Sequence, residues 1–290
     1  MTLQIASHEY LWNHNCMIKG GKQSGANGEA WEHVLASLCR FQSVLPDAVL
    51  VGGTASALYA QHRFSFDHDH VLPDLRQRFD AVLAELEAIA GWQTARVQRP
   101  VLILGSLDGV ETGVRQLRRT RPLETTAMRV GDHDVTVPTL PEVLRIKAFL
   151  CLERNATRDY LDLAALASHV GIEAAGEALW CMDDLYPQKN GDPWAVRTQL
   201  VMQLAAPSPY DLEGDDLGEY KGVRPPFNRW GHIADECGKL SDWLLNACMK
   251  ALRADSSPAA QQAQTKINTW RDARAAGETP PLGKLPGLAT

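Results

Sequence analysis

The stretch DAVLVGGTASALYAQHRFSFDHDHV, residues 47–71, decides how the chain is read. Ala48 to Val51 is a short apolar run that ends in the pair Gly52-Gly53. Small, helix-compatible residues from Thr54 to Ala60 follow, so the order is strand, glycine turn, helix. Glycines that follow a strand and open a helix aim backbone N–H groups and the positive end of the helix at an anion such as a nucleotide phosphate. From Phe64 to Val71 the alternation has period two, which puts Asp67 and Asp69 on one face of a strand and His68 and His70 on the other. Two carboxylates side by side repel, at a cost on the order of several kcal/mol where they are partly buried. Such a pair shares a proton or holds a divalent cation. Mg²⁺, or Mn²⁺ in its place, suits carboxylate oxygens combined with substrate phosphate.

Outward from this core, Phe79 to Ile89 has helical spacing. Val101–Leu104 and Val110–Leu117 read as strands joined by a Gly105–Gly109 loop, and Met128–Val137 as a hairpin about Gly131-Asp132. The expected class is α+β with a small mixed sheet. Thr139 and Glu142 have the spacing of a capping box ahead of a helix that tolerates Pro141, and a second helix is expected from Thr157 to Gly171. A loop-rich stretch is expected from Asp183 to Pro226, then an amphipathic helix from Trp230 to Arg253. The expected organisation is an N-terminal extension (1–46) with a flexible Gly20–Gly28 linker, an α+β core (47–138), a helical segment (139–182), a mostly helical C-terminal domain (183–275) and a disordered tail (276–290).

The 290 residues are 45% hydrophobic and 22% charged, which excludes disorder as the main state. No apolar run of spanning length and no leader pattern is present, so a soluble cytoplasmic protein without a membrane partner is expected. A net charge of -6 is unlike a nonspecific nucleic-acid binder, although Arg115, Arg118, Arg119 and Arg121 form one basic cluster that could steer an acceptor's phosphates. The six cysteines lie far apart with no CxxC pair and read as reduced thiols.

A third carboxylate on an adjacent strand would complete a two-metal arrangement for in-line attack on phosphorus. Glu111 is the best placed, with Asp108 in reserve. His62, His68 and His70 with the aspartates offer a rival zinc or manganese site for a hydrolase, which strand alternation opposes. Lys147 with Asp159, and Arg158 with Asp162, could be ordinary helix-surface ion pairs.

Gly52-Gly53-Thr54, then Arg63-Phe64-Ser65-Phe66-Asp67-His68-Asp69, then Lys147, Arg154 and Arg158-Asp159-Tyr160-Leu161-Asp162, resemble in order and spacing the motifs of the AbiEii/AbiGii toxin family. That family belongs to the DNA polymerase β-like nucleotidyltransferases. The resemblance spans residues 50–171. It implies a polymerase β-like fold and transfer of a nucleotidyl group from an NTP to RNA such as tRNA, a protein or a small molecule. It implies Asp67 and Asp69 as metal ligands with Glu111 in the third acidic position. Gly52, Gly53, Thr54, Ser65, Lys147, Arg158 and Asp159 are implied at the nucleotide, and an antitoxin protein is an implied partner. The alternative is an inactive scaffold of the same fold that binds a nucleotide or a protein, since histidines flank Asp69 where the family usually has apolar or aromatic residues.

Overall fold

Val49–Val51 forms β1, which pairs antiparallel with β2 (Asp67–Leu72), and the two are joined by α2 (Gly52–Ala60). This computed structural model describes residues 26–119, 121–186, 195–218, 220 and 222–278. Before β1 lies α1 (Ala26–Val44); after β2 come α3 (Leu75–Glu87), β3 (Trp92–Gln98), β4 (Leu102–Leu107) and β5 (Val110–Gln116). The sheet order is β1-β2-β5-β4-β3, with β2 and β5 parallel and the other neighbours antiparallel. β6 (Thr125–Val130) and β7 (His133–Pro138) form a separate two-stranded sheet. The α+β class with a small mixed sheet is therefore what the chain adopts.

The second half is helical: α4 (Leu140–Glu153), α5 (Thr157–Val170), α6 (Ile172–Leu179), α7 (Met182–Leu185), α8 (Val196–Ala205), α9 (Trp230–Ala254) and α10 (Pro258–Ala275). No helix among the described residues is long and apolar enough to cross a membrane. Cys39, Cys151, Cys181, Cys237 and Cys248 are free thiols. The segment 1–25 and the tail 279–290, including most of the expected linker and of the expected disordered end, lie outside the described residues.

Two apolar clusters hold these elements. Beneath the sheet, Phe41 of α1 and Leu45 just after it meet Phe79, Val82 and Leu86 of α3 and the inward side chains Leu72, Ile103, Leu107 and Val114. α1 is thereby packed onto the sheet. The second cluster joins α2 and the β6–β7 hairpin to α4, α5, α6, α8, α9 and α10. Each fully buried Leu or Phe contributes roughly 1.5–3 kcal/mol.

Several local expectations are corrected. β3 forms although its exposed residues lack apolar alternation; backbone pairing to β4, with a bulge between Thr94 and Arg96, supplies what pattern does not. β4 runs on through Leu107, so the loop shrinks to Asp108-Gly109, whose φ values of 53° and 83° suit a tight hairpin turn. The stretch 183–226 contains α8, whose Val196, Leu200, Val201 and Leu204 face the helical core. The capping box does not form. Thr139 makes no cap hydrogen bond, and buried Glu142 instead meets Arg119, with Nη1 2.7 Å from Oε1 and Nη2 donating to Oε2 at 2.8 Å. Arg119 thus leaves the basic cluster for the interior.

The alternation of β2 buries His68 and His70. His68 lies 3.0 Å from Ser37 Oγ and 2.8 Å from Thr112 Oγ1, and His70 stacks on Phe41 at 4.2 Å. Burial pushes His68 down to about 3 and His70 well below its usual range. Both are neutral when folded, so below pH 6.5 the unfolded chain binds protons that the folded chain refuses. Stability is expected to fall as pH drops below 6.5, by about 1.4 kcal/mol per pH unit for each of these histidines. Urea unfolding at a series of pH values from 7.5 to about 5 checks this; a profile flat across that window contradicts neutral burial.

Candidate functional site

The outward face of β2 carries Asp67 and Asp69, and parallel pairing sets Asp67 opposite Glu111 and Asp69 opposite Gly113 on β5. Antiparallel pairing then sets Ser106 of β4 opposite Glu111. A row Asp67, Glu111, Ser106 therefore crosses three strands on one face. These residues line a cavity of about 480 Å³ that Gly52 and Gly53 close on one side and Arg115, Lys147, Arg154, Arg158 and Tyr220 on another.

The N-terminus of α2 opens onto this cavity. Gly52 has φ +78°, and an added Cβ there would sit 3.4 Å from Asp69 Oδ2. At Gly53 an added Cβ would overlap Arg63 Nη2 and come within 2.9 Å of Ser65 Oγ. Both positions therefore need glycine if the carboxylate strand is to lie against the helix. Ser65 Oγ donates to Asp67 Oδ1 at 2.7 Å, and Thr54 Oγ1 donates to the Asp67 carbonyl. Arg115 Nη2 lies 3.6 Å from Asp69 Oδ1.

Behind the cavity wall lies a buried charge cluster centred on Asp162. Arg63 donates through Nε to Oδ1 at 2.7 Å and through Nη2 to Oδ2 at 2.9 Å, while Lys147 Nζ lies 2.7 Å from Oδ2 and 3.5 Å from Asp159 Oδ1. His62 Nε2 is 2.7 Å from Asp162 Oδ1; an ionised carboxylate only accepts, so the imidazole is the donor. Burial pushes the Asp162 carboxyl up, but Arg63, Lys147 and His62 together hold it well below the usual carboxylate range. Burial outweighs the Asp162 hydrogen bond at His62 and keeps that ring below its ordinary value. Asp162 is thus bound to groups from the loop before β2 and from α4, not to Arg158 four residues earlier on its own helix. Arg158 is exposed and faces the cavity.

Most of the expected site residues meet here: Gly52, Gly53, Ser65, Asp67, Asp69, Glu111, Lys147 and Arg158 all line the cavity. Thr54 and Asp159 are not among its lining and act from behind, through the Asp67 carbonyl and Lys147. Asp108 is ruled out as the reserve carboxylate, because it pairs with Arg40 at the turn and does not line the cavity. A shared histidine–aspartate metal site is likewise excluded, since His68 and His70 lie beneath the sheet and His62 is bound to Asp162. Arg63, Arg154, Ser106 and Tyr220 complete the cavity. Arg63 and Arg154 belong to the quoted motifs, whereas nothing in the local sequence marks Ser106 or Tyr220.

The lining offers hard oxygen donors without imidazole or thiolate, which suits Mg²⁺ or Mn²⁺. Among the described residues no group of three His, Cys, Asp or Glu side chains is placed to hold one ion.

No protein-family model matches the chain. The heme uptake protein MmpL11 of Mycobacterium tuberculosis is 43% identical over 131 residues, which cover 44% of this chain and 13% of that protein. The mycolic acid-containing lipids exporter MmpL11 of Mycolicibacterium smegmatis is 33% identical over 115 residues, covering 38% and 12%. The chain thus spans about an eighth of the length of these curated relatives. Among solved structures, the nucleotidyltransferase toxin MenT4 from Mycobacterium tuberculosis aligns with a TM-score of 0.48 at 18% identity, over 88% of this chain and 96% of that one. ANT(2")-Ia in complex with adenylyl-2"-tobramycin aligns with a TM-score of 0.41 at 10% identity, over 53% and 97%.

Replacing Asp162 with Ala leaves Arg63 and Lys147 buried without their counter-charge. The expected cost is about 3–5 kcal/mol, seen as a fall in Tm of roughly 10 °C; an unchanged Tm contradicts the cluster. In the native protein the Asp162 carboxyl titrates below its ordinary 3.8, so its contribution is complete above that pH and is lost as pH falls toward the folded value.

Proposed function

We propose that the chain is a metal-dependent nucleotidyltransferase of the DNA polymerase β-like superfamily, transferring a nucleotidyl group from an NTP to RNA, a protein or a small molecule. One observation carries the reading: two aspartates on one strand, a glutamate in register beside them, a glycine helix start and five basic side chains converge on one cavity from sequence-distant segments.

In this reading Asp67 and Asp69 hold Mg²⁺ or Mn²⁺, which supplies Lewis-acid neutralisation of the phosphate oxygens. Ser65 and Thr54 fix the Asp67 side chain and backbone, so the carboxylate is oriented before substrate arrives. The α2 N-terminus at Gly52-Gly53, with Arg158 and Arg154, receives the polyphosphate. An acceptor hydroxyl oxygen bonds to the α-phosphorus while the bond to the α,β-bridging oxygen breaks and pyrophosphate leaves. Glu111, exposed beside Asp67, takes the hydroxyl proton. The motif resemblance to AbiEii/AbiGii toxins extends the reading to a cytoplasmic toxin restrained by an antitoxin protein.

A second reading, a nucleotide-binding module without chemistry, uses the same cavity and the same basic lining. Incubation with each α-³²P NTP, Mg²⁺ and either total RNA or cell lysate separates the two. Label should move to an acceptor and fall at least about a hundredfold in Asp67→Asn and Asp69→Asn. Label that persists in both variants sinks the catalytic assignment, and NTP binding without any transfer supports the module.

A further inference from the structure

The loop between α8 and α9 reaches back across the molecule to the catalytic cavity. It is pinned to the segment that leads into Asp67: the Arg224 N–H donates to the His62 carbonyl at 2.8 Å, and the Arg224 guanidinium lies 5.5 Å from the Phe64 ring centroid. Phe227 meets His62 edge-on at 6.2 Å, and Gly222, with φ +62°, lies so close to Phe64 that a Cβ would come within 2.6 Å of the ring. Tyr220 stands in the turn these contacts hold. Its N–H donates to Leu217 O at 2.9 Å, and its carbonyl accepts from the Val223 N–H at 3.0 Å. Its half-buried side chain lines the cavity beside Arg63 and Arg158.

A nucleotide needs two seats, one for charge and one for a flat apolar ring. The polyphosphate seat is the helix start with the exposed arginines. The remaining apolar lining is of two kinds: Ala95 and Leu104 on β3–β4, and the ring of Tyr220. The β4 side must stay open for the attacking group, because Glu111 stands between Asp67 and Ser106 in the register. Tyr220 lies toward the helical half with Arg158, and it is the aromatic ring among the cavity's described lining residues.

We propose that Tyr220 is the platform on which the base of the bound NTP stacks, so that the C-terminal half of the chain completes the nucleotide site. The assignment rests on the nucleotide-binding reading above and adds to it the group that recognises the base. Stacking on one aromatic ring is worth a loss of roughly tenfold or more when the ring is removed.

The test compares two probes by calorimetry in Mg²⁺, each of the four NTPs and inorganic tripolyphosphate, which has the charge without the base. In Tyr220→Ala and in the bulkier Tyr220→Leu, NTP Kd should rise roughly tenfold or more, tripolyphosphate Kd should stay within about twofold, and Tyr220→Phe should restore NTP binding. Equal NTP binding in all variants overturns the proposal, as does parallel loss of both probes, which marks a structural or phosphate-contacting residue. Wild-type protein that binds neither probe overturns the nucleotide-site reading itself, an outcome distinct from failure at Tyr220. Wild-type protein that binds both probes equally tightly overturns the stacking assignment alone.

Discussion

The buried carboxylate of Asp162 is the constraint on which the rest of the site depends. It lies on α5, yet its partners come from the loop before β2 and from α4, so one side chain joins the sheet half to the helical half. The cluster places Arg63 and Lys147 opposite Asp162, with Asp159 beside Lys147, so the charges are nearly matched inside the protein. A buried ion pair of this kind is a weak source of net stability, since desolvation consumes most of its attraction. Its consequence is positional. Arg63 can satisfy its fork of donors only where Asp162 waits, and Ser65 and Asp67 follow two and four residues later.

Strand β2 shows how one short segment serves folding and chemistry together. Its inward residues His68, His70 and Leu72 are buried against α1 and the neighbouring strands, while Asp67 and Asp69 face the cavity. A slip of one residue would put carboxylates beneath the sheet and imidazoles into the cavity, which burial forbids. The contacts of His68 with Ser37 and Thr112, and the stacking of His70 on Phe41, hold the register that presents the aspartates. The histidines beside Asp69 are core side chains that fix where Asp69 points.

What was legible in the sequence was local. The glycine turn, the period-two strand and the helix carrying Arg158 to Asp162 announce themselves within a few residues, because backbone conformation and alternation are set by near neighbours. β3 was not legible, since an exposed edge strand is selected by hydrogen bonding to β4 and not by an apolar face. Nor was the fate of Glu142: its spacing from Thr139 fits a cap, but Arg119, 23 residues earlier, binds it inside. Tyr220 lies beyond any local pattern. Its place depends on Gly222, Arg224 and Phe227 meeting His62 and Phe64 across the fold.

The basic groups around the cavity divide by how free they are. Arg63 and Lys147 are buried and committed to acidic partners, so for a ligand they act as fixed charge at a fixed place. Arg154 and Arg158 are exposed, and Arg115 is only loosely paired with Asp69, so these can reorient around an incoming polyanion. Fixed charge is already desolvated and costs no reorganisation when phosphate arrives, whereas mobile guanidiniums bind bidentately at the expense of side-chain entropy. The cavity thus holds both kinds of positive charge, one fixed and one free to reorient. The Asp162 cluster keeps the first kind from drifting into the second, because Arg63 and Lys147 are bound to it inside the protein.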